Sequence, residues 1–130
     1  MRILFLTLIA LVVFITDAPA KAQETLKVRI GQTKTADRGK VRIKFVSVVE
    51  DSRCPIGTNC IWAGNAKIKI AVSKGKAAPK IIELSSGLKP EATMVYGYGL
   101  KFINLSPYPG ETVKMAASPK SATISIIKSR

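Results

Sequence analysis

The residues best placed to do chemistry sit close together: Cys54, Cys60, Arg53 and the only tryptophan, Trp62. Five residues separate the cysteines, whereas redox-active pairs usually have two between them. With no histidine in the chain, a zinc site has nothing to complete it. The pair therefore reads as a structural disulfide, and only one pairing exists. A chain-entropy estimate for so small a ring gives about 2.4 kcal/mol of stabilisation. Its more specific effect is to hold Cys-Pro-Ile-Gly-Thr-Asn-Cys in one shape, with Pro55 fixing its own φ and Gly57 or Asn59 free to turn left-handed. Trp62 is expected to cover the disulfide and plug one end of the domain. Arg53 either pairs with nearby Asp51 or projects outward. Arg53, Pro55, Asn59 and Trp62 form the candidate recognition loop.

Catalysis has little to work with. The lack of histidine excludes Ser-His-Asp, Cys-His and His-metal chemistries. Glu50 and Asp51 are adjacent, so on a strand they face opposite ways and make a poor acid/base pair. No Ser-x-x-Lys before a helix and no glycine-rich phosphate loop is present. Met94 and Met115 alone make a poor copper site. The protein reads as a non-enzyme with no metal and no cofactor.

The compartment follows from the N-terminus. Arg2 precedes an apolar run over residues 3–15, interrupted only by Thr7, and well short of the roughly 20 residues that span a bilayer. Small residues before Ala22 and Ala20 suit a signal peptidase. We read residues 1–22 as a signal peptide and residues 23–130 as one exported domain, periplasmic or secreted. Export agrees with an oxidised cysteine pair. No second apolar stretch reaches membrane length, so no transmembrane span is expected in the mature chain.

The elements that must position the cysteine loop are strands. Leu26, Val28 and Ile30 alternate with Lys27 and Arg29, and Val41, Ile43 and Phe45 with Arg42 and Lys44. Ala66, Ile68, Ile70 and Val72 alternate with Lys67 and Lys69, and Ala122, Ile124 and Ile126 with Thr123 and Ser125. Period-two patterns of β-branched residues mark half-buried strands. Residues 80–84 and 99–105 are weaker candidates. After Phe45 the phase slips through Val46, Val48 and Val49, which predicts a bulge or a segment buried on both faces. Turn residues at 37–39, 74–76, 85–87 and 107–110 separate the runs. About seven short strands predict an all-β, antiparallel β-sandwich with one disulfide, a partly open barrel being the alternative.

Formal net charge is +13, and loss of Arg2, Lys21 and Asp17 with the signal leaves +12. Lys27, Arg29, Arg42, Lys44, Lys67 and Lys69 occupy outward strand positions. Strands of this kind sharing a sheet would build a cationic face that attracts anionic headgroups or glycans. The same lysines also discourage edge-to-edge aggregation. Nucleic acid is disfavoured as a partner, because the basic strands carry no interleaved aromatics for stacking.

Two blocks carry a resemblance. Asp51-Ser52-Arg53-Cys54-Pro55, Cys60 and Trp62-Ala63-Gly64 form the first; Gly97-Tyr98-Gly99-Leu100-Lys101 and Leu105-Ser106-Pro107-Tyr108-Pro109 form the second. Together they resemble the signature of a family of small uncharacterised secreted or lipoprotein-type bacterial proteins. The resemblance implies bacterial export and the β architecture, and brings no activity; this chain lacks an N-terminal lipidation cysteine. The functional expectation is a non-catalytic exported protein that binds an anionic envelope component or a protein partner, through its basic face or beside Trp62 and Tyr108. The alternative is an extracellular protease inhibitor that presents the Cys54–Cys60 loop with Arg53 in a specificity pocket.

Overall fold

The computed structural model describes residues 22–87, 90–110 and 119–129. The predicted signal peptide, apart from Ala22, and Met115 lie outside the described residues. The described chain is all β: β1 (Gln23–Arg29), β2 (Thr33–Ala36), β3 (Val41–Asp51), β4 (Ala66–Lys74), β5 (Lys80–Ser85), β6 (Thr93–Val95), β7 (Tyr98–Ser106) and β8 (Ser121–Lys128). The period-two runs become β1, β3, β4 and β8. Two of the eight, β2 and β6, are three or four residues long, too short to show a period in sequence.

Two antiparallel four-stranded sheets form, in the orders β1-β8-β7-β6 and β2-β3-β4-β5, and they are not closed into a barrel. Alternation explains the layering, because one face of each strand is apolar. Val41, Ile43 and Phe45 of β3 and Ile68, Ile70 and Val72 of β4 are fully buried. They share one core with Val28 of β1, Leu100, Phe102 and Leu105 of β7, and Ile124 of β8. The slip after Phe45 is real: the β3–β4 register shifts between Phe45 and Ser47 and again between Val48 and Glu50. Val46 and Val49, one in each interval, are exposed.

Turn chemistry matches the residues supplied. Asp37, Arg38 and Gly39 all have positive φ between β2 and β3. Tyr96 and Gly97 do so between the paired residues Val95 and Tyr98, giving the two-residue hairpin geometry that matches strand twist.

β3 and β4 are hydrogen-bonded antiparallel neighbours, for which a connection of about two to five residues is enough. Residues 52–65 join them instead. This long connection is the cysteine loop, and the sheet itself does not require its length.

Candidate functional site

Cys54 and Cys60 are disulfide-bonded. Inside the ring the Thr58 hydroxyl donates to the Pro55 carbonyl at 2.7 Å, and Gly57 takes the left-handed φ of +82° that the turn needs. At the base of the loop, the Ser52 amide donates to the Asn65 carbonyl at 2.8 Å, and the Asn65 amide donates to the Ser52 hydroxyl at 3.1 Å. The Asn65 side-chain oxygen accepts from the Ser85 hydroxyl and the Gly87 amide, tying the loop to the end of β5. Gly64 lies so close to the Ser52 and Arg53 backbone that a Cβ would fall 1.9 Å from the Ser52 carbonyl oxygen. The glycine is therefore required by close approach, not by its φ.

Arg53 is the anchor of the loop. It is buried, and its guanidinium grips Asp51 with two parallel bonds, from Nε to Oδ1 at 2.8 Å and from Nη2 to Oδ2 at 2.9 Å. Nη1 donates to the Leu105 carbonyl at 2.7 Å and to Asn104 Oδ1 at 3.4 Å, and Nη2 to the Pro107 carbonyl at 3.4 Å. All five N–H groups of the fork are thus engaged. The guanidinium also stacks on the Tyr108 ring, 4.5 Å from its centroid. A cation can be buried here because its charge is paired and its donors are satisfied. The same bonds hold the Asp51 carboxyl below its ordinary range against the opposing effect of burial.

The first sequence block therefore docks on the second. Arg53 holds the end of β7 and the turn after it, and the Ile56 amide donates to the Pro109 carbonyl at 3.0 Å. The Pro107-Tyr108-Pro109 turn is the seat of the disulfide loop.

One expectation for the loop is corrected and one open alternative is decided. Trp62 does not cover the disulfide or plug the sandwich; it is 67% exposed, with Ile61 beside it at 96% and Ile56 in the ring at 60%. Arg53 closes that end instead, through backbone carbonyls that an indole could not satisfy. Arg53 in turn does not project. Of the recognition candidates Pro55, Asn59 and Trp62 are exposed while Arg53 is buried, so it is not available to enter a protease specificity pocket. The local pairing with Asp51 is the arrangement found. Ile56 and Ile61 were not singled out in sequence, because an isoleucine gives no local sign that it will stay in water.

The six basic candidates also divide. β1 pairs with β8, which puts Lys27 and Arg29 in a different sheet from the other four. They therefore do not join one face. Arg42, Lys44, Lys67 and Lys69 do share the outer face of the β2-β3-β4-β5 sheet. There, Lys67 stands opposite Glu50, and Lys69 opposite Glu83, which tempers that half. Arg42 and Lys44 have Thr35, Ser73, Thr33 and Ala71 as cross-strand neighbours, none of them acidic.

The far end of the sandwich holds a second polar cluster. Tyr98, 1% exposed, donates its hydroxyl to Asp37 Oδ2 at 2.6 Å, and Lys128 Nζ lies 3.1 Å from the same oxygen. The hydrogen bond to the aspartate, with burial adding to it, pushes the Tyr98 phenol up to about 12, while Asp37 is lowered by the same bond. No group here is arranged as a nucleophile with its base. The cluster closes the sandwich.

Comparison of the chain with family models, with curated proteins and with solved structures finds no match. The chain is a disulfide-bonded β protein of two antiparallel sheets. Among the described residues no helix is long and apolar enough to cross a membrane.

Proposed function

We propose that the protein is a non-catalytic exported binding module that engages an anionic component of the cell envelope. The observation that carries this reading is the outward alternation of Arg42 and Lys44 on β3, next to Lys67 and Lys69 on β4, in a chain of net charge +13. Charge on a sheet face sums into a potential that reaches a polyanion before contact. Each basic side chain near an anionic membrane surface contributes about 1 kcal/mol. Export is supported by the oxidised cysteine pair and by the short apolar leader.

The test is salt. Retention on heparin and on phosphatidylglycerol-containing vesicles is expected to fall steeply between low and moderate ionic strength, because exposed charges are screened. Replacing both Arg42→Glu and Lys44→Glu should weaken retention at low salt by about tenfold or more. Retention that ignores both salt and the double replacement sinks the reading.

A further inference from the structure

The connection at residues 52–65 contains no Asp, Glu or Lys, and its one charged residue, Arg53, is turned inward and paired. Beside the uncharged polar residues Ser52, Thr58 and Asn59, the loop offers solvent three large apolar side chains, Ile56, Ile61 and Trp62. Large apolar side chains so exposed on one connection normally mean a surface that meets something. The loop is not loosely held. The disulfide, the Arg53 fork, the Ser52–Asn65 bonds and the Ile56–Pro109 bond all fix it, so little conformational entropy is left to lose on binding. Its charges need no desolvation, because the loop tip carries none.

The surroundings indicate what it meets. Lys67 stands one residue into β4, Lys120 directly precedes β8, and Arg29, which ends β1, pairs with Ser121. These three basic residues rim the same end of the sandwich as the loop, where the nearby acids Glu50 and Asp51 face Lys67 and Arg53. Positive charge is carried by both sheets, a distribution suited to an extended anionic plane more than to a single complementary patch. Tryptophan has its most favourable place where apolar and wet regions meet, at the level of lipid headgroups.

We infer that the tip of the cysteine loop is an interfacial anchor: Ile56, Ile61 and Trp62 enter the headgroup–acyl boundary of an anionic lipid bilayer while basic residues hold the headgroups. The inference rests on the anionic-surface reading above and places the contact at the loop end, where Lys67, Lys120 and Arg29 lie, Arg42 and Lys44 being towards the opposite end of β3.

Trp62 is the only tryptophan, so its fluorescence reports this loop alone. With the purified protein and vesicles of phosphatidylglycerol and phosphatidylcholine in equal parts, Trp62 emission is expected to shift to shorter wavelength. It should also be quenched by brominated lipid. Pure phosphatidylcholine vesicles should give a much smaller effect at the same lipid concentration. Ile61→Ser, at a position with almost nothing to lose in folding, should lower vesicle partition by about tenfold, and Ile56→Ser by a similar factor. Co-sedimentation with anionic vesicles without any change in Trp62 emission would overturn the anchor and leave the basic-surface reading standing. Absence of co-sedimentation even at low salt, together with no heparin retention, would overturn both. A Trp62 shift caused by a protein partner and not by lipid would also overturn the anchor, and would assign the tip to a protein pocket.

Discussion

At the disulfide end of the sandwich the buried member of the polar cluster is a cation, Arg53; at the opposite end it is a phenol, Tyr98. Each cluster has an aspartate, a cation and a tyrosine, yet the roles are exchanged. Arg53 and Asp51 have side-chain exposures of 7% and 16%, while Lys128 and Asp37 have 56% and 24%. Arg53 also bonds the carbonyls that end β7, and so joins the two sheets; Lys128 touches only the rim. The difference shows where an ion pair matters. A charge that is buried and also satisfies backbone groups cannot be withdrawn cheaply, whereas an exposed pair is replaced by water.

The comparison is broken most directly at Arg53. Arg53→Met should cost about 3 kcal/mol in urea or thermal unfolding, because it strands Asp51 and the Leu105 carbonyl. A loss no larger than that of a surface substitution would show the loop to be held by its disulfide and backbone bonds without the Arg53 fork.

Tyr98→Phe should have the next largest effect, about 1–2 kcal/mol, through its bond to a carboxylate. It also has a pH signature. The folded phenol titrates near 12 against 10.0 when free, so its contribution is complete below pH 10 and is lost as pH rises from there towards 12. Wild-type stability should fall over that interval, and the fall should be shallower in Tyr98→Phe. Asp51 and Asp37 act in the other direction. Both carboxyls are lowered from 3.8, so their contribution is present above that value and fades as pH drops below it. The smallest effect is expected from Lys128→Met, within the scatter of a melting experiment. Should it match Arg53→Met, the contrast between the two ends would be wrong.

Much of the architecture was legible in the sequence. The alternation in β1, β3, β4 and β8 is a local property, set by which side chains avoid water, and it specifies the half-buried strands and the phase slip after Phe45; the exposure of Val46 and Val49 decides that the slip is a bulge. The cysteine pairing was equally plain, since only one is available. The site was less legible. Arg53 could pair or project, and local sequence gives no means of choosing, because three of its acceptors come from Asn104 and Leu105 of β7 and from Pro107 in the turn after it.

What the sequence alone determined was the disulfide loop, its lack of acidic residues, the basic balance and the β class, all matters of composition and near-neighbour pattern. Only the tertiary structure decided that Arg53 goes inside and Trp62 stays out. The reason is physical. The end of β7 presents backbone carbonyls that need donors, a five-donor guanidinium meets that need, and the indole, with one N–H, does not.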